Sequence, residues 1–297
     1  IFWKKMSIID LPLREENIFS TYSFVNINGS SVDELVEKGI QHILSTAERI
    51  VSRAGLARQS YGVNYILKNP RNRLHNLRKE SKKYLCREFI AYFNGSLKAE
   101  DGLAKASKFW MTLVDDQGNI NSNYGYYVFY EPIHEYKNQY NWVIDVLLKN
   151  KDSRRAVINI NQSYHKSDTK DFPCTLGMLF FIKKNKLYCE TISRSTDVIT
   201  GLPYDMGFFS FIHELVWRNL VEEGMEDLNL GETMMKTTFT QIYDTSLNKV
   251  SELIENVRAL KESELMPPIF SARKTLDDIL NGTKKTDVLK WIHESAA

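Results

Sequence analysis

The stretch DFPCTLGMLFFIKKNKLYCETISRSTDVITGLPYD, residues 171–205, decides the fold. Residues 176–182 and 186–192 are apolar or alternating, and Lys183-Lys184-Asn185 between them predicts a hairpin of two core strands. Downstream, residues 206–223 carry aromatic and aliphatic side chains on several faces, as a helix buried in the centre of a domain requires. Upstream, residues 156–160 read as a buried strand. A helix over 136–149 precedes it, with Tyr140, Val143, Ile144, Leu147 and Leu148 on one face. Farther out, Val32, Leu35, Ile40, Ile43, Leu44, Ala47 and Ile50 predict a helix over 31–54, capped by Ser30 or Ser31, and residues 84–93 and 102–114 predict two more. The turn-rich segment 118–123 leads into an aromatic run, 124–130, that reads as the floor of a cleft. Strands and long helices are interspersed without regular alternation, so the expected class is α+β.

The chain has 297 residues and 43% hydrophobic content, enough for a sizeable core. Its 39 basic and 37 acidic residues leave a net charge of +2, which excludes a polyanion-coating surface; any bound anion must be met by a local cluster. Cys86, Cys174 and Cys189 form no CxxC pair, so neither a disulfide framework nor a thiolate zinc site is indicated. The opening IFWKK lacks the apolar run of a secretion signal, and no stretch is apolar for a spanning length, so a cytoplasmic protein without membrane or nucleic-acid dependence is expected. Gly201 and Gly207 do not follow a strand in GxGxxG spacing, which removes a nicotinamide or P-loop reading.

Three motifs come in succession: DSRR (152–155), DFPCT (171–175), and RSTD (194–197) followed by GLPYD (201–205). Each alone is unremarkable, but in this order and spacing they resemble the signature of thymidylate synthases and the related pyrimidine nucleotide hydroxymethylases, closest to the cytidylate branch. Glu88 within REFIAYF (87–93) resembles the catalytic glutamate segment of that family. NSNYG (121–125) resembles its cofactor loop, and the segment from Gly231 to Tyr243 resembles its late strand. The resemblance implies a central mixed sheet with flanking helices, one sheet face forming a homodimer interface. It also implies a catalytic domain over 1–260, helical at about 1–50; residues 261–297, opened by Pro267-Pro268, form a terminal segment without an assigned role.

The chemistry explains the residue types. C5 of a pyrimidine becomes nucleophilic only after a thiolate adds to C6, and Cys174 is the expected nucleophile. Nearby arginines such as Arg194 are expected to favour the thiolate. By resemblance, Arg194 and Ser195 hold the phosphate on the same subunit, Arg154 and Arg155 reach the partner's site, and Arg53, or alternatively Arg58, is the mobile-loop arginine; arginine's fork suits phosphate better than lysine does. The resemblance also assigns Tyr243 and Gln241 to the sugar, and Asp197, Tyr204 and Tyr124 to 5,10-methylenetetrahydrofolate.

Asp205 stands where uracil-specific members carry asparagine. A carboxyl accepts from the N4 amino group of cytosine and, protonated, donates to N3, so the base is read as cytosine. Glu88 is expected to activate water and move protons at the base. The tryptophan-bearing segment after the family's Tyr-Gly pair reads YYVF (126–129) here, and apolar closing residues are not evident in residues 291–297, which favours water over hydride as the final acceptor's partner. The expected reaction is C5-hydroxymethylation of CMP or dCMP. The alternatives are thymidylate-type methylation and a catalytically silent nucleotide-binding homologue. Gln241, in place of the family's usual histidine, leans toward the ribonucleotide and leaves open whether the product serves phage DNA modification or antimetabolite biosynthesis.

Overall fold

The computed structural model describes residues 23–52, 54–166, 169–259 and 264–297. Among these, seven strands form one mixed sheet: β1 (Val25–Gly29), β2 (Glu48–Ser52), β3 (Gly55–Leu67), β4 (Val157–Asn159), β5 (Thr175–Lys183), β6 (Lys186–Asp197) and β7 (Asn229–Tyr243). The order is β1-β3-β7-β6-β5-β4, with β2 pairing along the other half of β3. β1 with β3 and β6 with β7 are parallel, and the remaining pairs are antiparallel, which confirms the α+β class with a mixed central sheet. The predicted hairpin is β5–β6, closed by Lys183 opposite Lys186. Its two turn residues, Lys184 and Asn185, have φ of 47° and 57°, the mirror-image turn whose twist matches that of the strands.

The pleat of the sheet is interrupted at one level. In β3 the buried positions include Arg58 and Ser60 before Gly62, and Val63, Tyr65 and Leu67 after it. Gly62, at φ 64°, supplies the break, a conformation costly for any residue with a Cβ. The neighbouring β7 changes parity at the same level, from Met235 and Thr237 to Thr240 and Ile242, and in β6 Ser195, Thr196 and Asp197 are buried in succession. The break turns polar residues of three adjacent strands toward the interior at one end of the sheet.

Helices α2 (Ser81–Asn94), α3 (Gln139–Lys149) and α4 (Leu202–Glu222) cover the β5–β6 half. α1 (Val32–Thr46) and α5 (Leu247–Ala259) cover the β3–β7 half. α4 belongs to both cores, with Leu202 and Met206 in one and Phe208, Phe209 and Leu215 in the other. The last helices, α6 (Ala272–Asn281) and α7 (Asp287–Ala296), share the α2–α4 core through Ile279, Leu289 and Ile292. Glu222 accepts from the Ala272 and Arg273 amides at the start of α6, and Arg87 Nε donates to the Ala296 carbonyl at 2.9 Å.

Two helical expectations are corrected. The helix predicted over 31–54 ends at Thr46, because Ala47 is extended and Ile50-Val51, β-branched neighbours, pair with Ala57 and Leu56 as β2. The helix predicted over 102–114 is two 3₁₀ turns, Leu103–Lys105 and Lys108–Leu113. Ser107 caps the second, and Phe109 and Met111 are exposed, so no continuous apolar face supports a longer helix. The aromatic run contains a π-helical turn, Tyr126–Tyr130. Of the expected N-terminal helical part, residues 1–22 lie outside the described residues.

Candidate active site

Cys174 sits immediately before β5, where its carbonyl accepts from the Arg194 amide of β6 at 2.8 Å. The Arg194 guanidinium folds back over the loop that presents the cysteine. It donates to the carbonyls of Pro173 at 3.2 Å and Phe172 at 2.7 Å and to Ser195 Oγ at 3.3 Å, and lies over the Phe172 ring. Ser195 Oγ in turn donates to Cys174 Sγ at 3.6 Å. The expected triad of Cys174, Arg194 and Ser195 is therefore brought together by the β5–β6 register.

The electrostatics differ from the expectation of a ready thiolate. Burial pushes the Cys174 thiol above its ordinary value; Arg194 and Ser195 oppose this, and the carboxyls of Asp205 and Asp171 add to it. Desolvation outweighs one partly engaged guanidinium, so the unliganded chain holds Cys174 as a thiol.

Glu88 is 4% exposed on α2, with Tyr84 one turn before it and Tyr92 one turn after it on the same face. Burial raises its carboxyl to about 8 and Asp205's charge adds to this, while the Tyr84 hydroxyl, which donates to Glu88 Oε1, opposes it. Trp110 Nε1 donates to the same phenol oxygen at 3.3 Å.

Asp205 occupies the first turn of α4. Gly201 is the N-cap, so Asp205 is not spent on capping the helix. Among the described residues no donor meets its carboxyl, and burial raises it to about 7. Its charge is felt at Cys174, Glu88, Tyr92 and Tyr124, so it lies near both the thiol and the α2 carboxyl.

The other expected residues fall into two groups. Gln241 and Tyr243 lie at the end of β7, joined by a 3.4 Å hydrogen bond. Asp197, opposite Gln241 in the sheet, accepts from the Ile199 and Thr200 amides and so anchors the turn into α4. Gln241 Oε1 is buried without a partner among the described residues. Tyr204 accepts from Arg78 at 3.3 Å and packs edge-on against Tyr84. The Tyr124 ring lies between those of Tyr92 and Phe209, at 5.6 and 5.5 Å. Farther away, Arg154 and Arg155 are exposed before β4, with Arg155 over Trp142. Val157 pairs with Leu179, so Arg155 is about six residues along β5 from Thr175, roughly 20 Å from its own chain's cysteine. Arg58 is buried in β3 opposite Ile242, and Arg53 lies outside the described residues.

Three residues at the site went unassigned in the sequence. Tyr84 carries a signal, its i,i+4 spacing from Glu88 on a predicted helix. Trp110 carries none, because its segment folds as a 3₁₀ turn. Asp171 stands in the cysteine motif and fastens the 121–125 loop, accepting from the Ser122 amide and hydroxyl, both at 2.7 Å.

A cysteine, an arginine and two raised carboxyls are thus gathered near the broken end of the mixed sheet. A family model described as "Thymidylate synthase" matches residues 36–280, and the chain belongs to that family. It is similar to the protein named "Deoxycytidylate 5-hydroxymethyltransferase" of Enterobacteria phage T4, 29% identical over 51% of this chain and 59% of the relative. The protein of the same name from phage T6 is 29% identical over 50% and 58%. A protein named "Thymidylate synthase" from Fusobacterium nucleatum is 32% identical over 50% and 51%. The chain thus spans somewhat over half the length of the curated relatives it matches.

Proposed function

We propose that this chain is a one-carbon transferase that hydroxymethylates C5 of a cytidine monophosphate, CMP or dCMP, in the cytoplasm. The observation that carries the reading is Asp205: a carboxyl near Cys174 that no donor meets among the described residues, raised to about 7, is present in both protonation states near neutrality. Ionised, it accepts from the cytosine N4 amino group; protonated, it also donates to N3. The names of the phage relatives support the same base and favour the deoxy sugar.

The Cys174 thiol gives its proton to water as the sulfur adds to C6, and the electron pair displaced from the C5–C6 double bond makes C5 the nucleophile. Arg194 and Ser195 then meet the phosphate with donors released from the 172–173 carbonyls. Gln241 Oε1, a buried acceptor in want of a hydrogen, suits a sugar hydroxyl. Glu88, protonated over most of the neutral range, holds and moves the proton that the base exchanges, and deprotonated it orients the water that completes the hydroxymethyl group. When bound, 5,10-methylenetetrahydrofolate supplies the carbon. A flat heteroaromatic group fits the surface next to Glu88, where Trp110 is part-buried and Phe109 and Met111 are 59% and 55% exposed.

The functional unit in this reading is a homodimer. On the sheet face without helices, Phe181 and Tyr188 stack across β5–β6, and Leu176, Ile192 and Phe239 are 37–43% exposed on three adjacent strands. Burying that face in a second copy would bring Arg154 and Arg155 to the partner's phosphate, since they are distant from their own cysteine. The deciding experiment is mass spectrometry of products from methylenetetrahydrofolate and an equimolar mixture of CMP, dCMP, UMP and dUMP. Hydroxymethyl on a cytidine nucleotide alone supports the proposal. Methyl on a uridine nucleotide would make the chain a methylase, and no product would make it a nucleotide binder.

A further inference from the structure

The Glu88 carboxyl has two oxygens that could hold its proton, and their surroundings differ. Tyr84 stands one helical turn before Glu88, and its hydroxyl donates to Glu88 Oε1. Trp110 reinforces the direction of that bond, because an indole N–H can only donate. Its Nε1 meets the Tyr84 oxygen at 3.3 Å, so the oxygen already accepts there and its one hydrogen is left to donate to Glu88. The ring itself is clamped. It lies edge-on to Tyr204, with centroids 4.6 Å apart, and the Tyr204 hydroxyl is held by Arg78. Swinging the phenol away would take from Glu88 Oε1 its Tyr84 donor and from Trp110 Nε1 its phenol acceptor, leaving the direct Trp110 contact with the Glu88 carboxyl alone.

Resting on the reading of Glu88 as the acid and base of the proposed reaction, we infer that Tyr84 and Trp110 are a positioning pair that occupies Glu88 Oε1 and so keeps the working proton on Oε2. A neutral carboxylic acid carries its hydrogen on one oxygen, and the oxygen that accepts from Tyr84 is the one without it. Burial and the adjoining carboxyl push the Tyr84 phenol far above its ordinary value, so it remains a donor throughout the working range and does not take the proton itself. The same hydrogen bond stabilises the ionised form of Glu88, and its loss therefore moves Glu88 further up.

The test uses Tyr84→Phe, which deletes only the oxygen, and Trp110→Phe, which leaves Tyr84 and Glu88 in place. In the ligand-free protein the infrared carboxyl band of Glu88, assigned by its disappearance in Glu88→Gln, is followed against pH. The midpoint is expected to rise by about one to two pH units in Tyr84→Phe and by less in Trp110→Phe. In turnover, kcat is expected to fall about tenfold or more while the nucleotide KM stays within about threefold, and the pH profile of kcat should move with the infrared midpoint. An unmoved or lowered midpoint in a folded variant overturns the pair, as does a loss confined to KM. If Tyr84→Phe does not fold, Trp110→Phe decides alone. Because the infrared midpoint needs no substrate, a chain that makes no product from any nucleotide would defeat the proposed reaction while leaving this measurement to judge the pair.

Discussion

Asp205→Asn exchanges a carboxyl for an amide of the same shape. Among the described residues no protein donor meets the Asp205 carboxyl, so the substitution strips no partner from the fold and its consequence falls on the ligand. The amide has one fixed donor and one fixed acceptor, the pattern that suits uracil O4 and N3–H. Cytosine presents the reverse pattern, leaving one or two buried mismatches at about 1–3 kcal/mol each. The ratio of kcat/KM for cytidylate over uridylate should therefore fall, by roughly fivefold for one weak mismatch and up to about 10⁴-fold for two strong ones. A second readout is independent of specificity: the Asp205 charge helps hold Glu88 up at about 8, and the neutral amide removes it, so Glu88 should titrate lower and the profile should move to lower pH. Competition among CMP, dCMP, UMP and dUMP between pH 6 and 9, with products read by mass, gives both quantities. An unchanged base preference, with the variant folded and turning over, would refute Asp205 as the base reader.

Three further outcomes are expected. Glu88→Gln should stabilise the fold increasingly as pH rises from about 4 to about 8 and by a constant amount above that: the folded carboxyl titrates near 8, above its unfolded value, so across this window the unfolded chain ionises while the folded one stays protonated. The gain in thermal or urea stability should reach on the order of 3–5 kcal/mol at pH 9 and nearly vanish below pH 4, and equal gains at both would sink the assignment. Alkylation of Cys174 in the unliganded protein should still be accelerating above pH 9, since burial raises the thiol; a plateau near pH 7 would show a preformed thiolate. Ile192→Lys on the open sheet face should yield monomers by sedimentation and lose turnover with Cys174 intact, whereas an active monomer would remove the partner's arginines from the mechanism.

What the sequence revealed and what it concealed separate along one physical line. The hairpin around Lys184 and Asn185 is local, and so is the passage from Cys174 into β5; residues 171–205 carry both, and with them the pairing of Cys174 with Arg194. The placement of β7 between β3 and β6 is not local, nor is the parity break at Gly62, whose meaning appears only when three strands lie side by side and all turn polar residues inward. β2 was concealed because Ile50 continues a helical spacing while its β-branched neighbour Val51 finds a partner across the turn at Gly55. Protonation is the quantity farthest from the sequence. Arg194 beside Cys174 argues for a thiolate, and the fold reverses that by burying the sulfur near two carboxyls. Asp205 and Glu88 both titrate ordinarily in a flexible chain; packed against the Tyr84, Tyr92 and Tyr124 layer they move to about 7 and about 8. In the proposed reaction that pair of values, one carboxyl half ionised where the other is still mostly protonated, would let two acids of the same type divide the work of reading the base and carrying its proton.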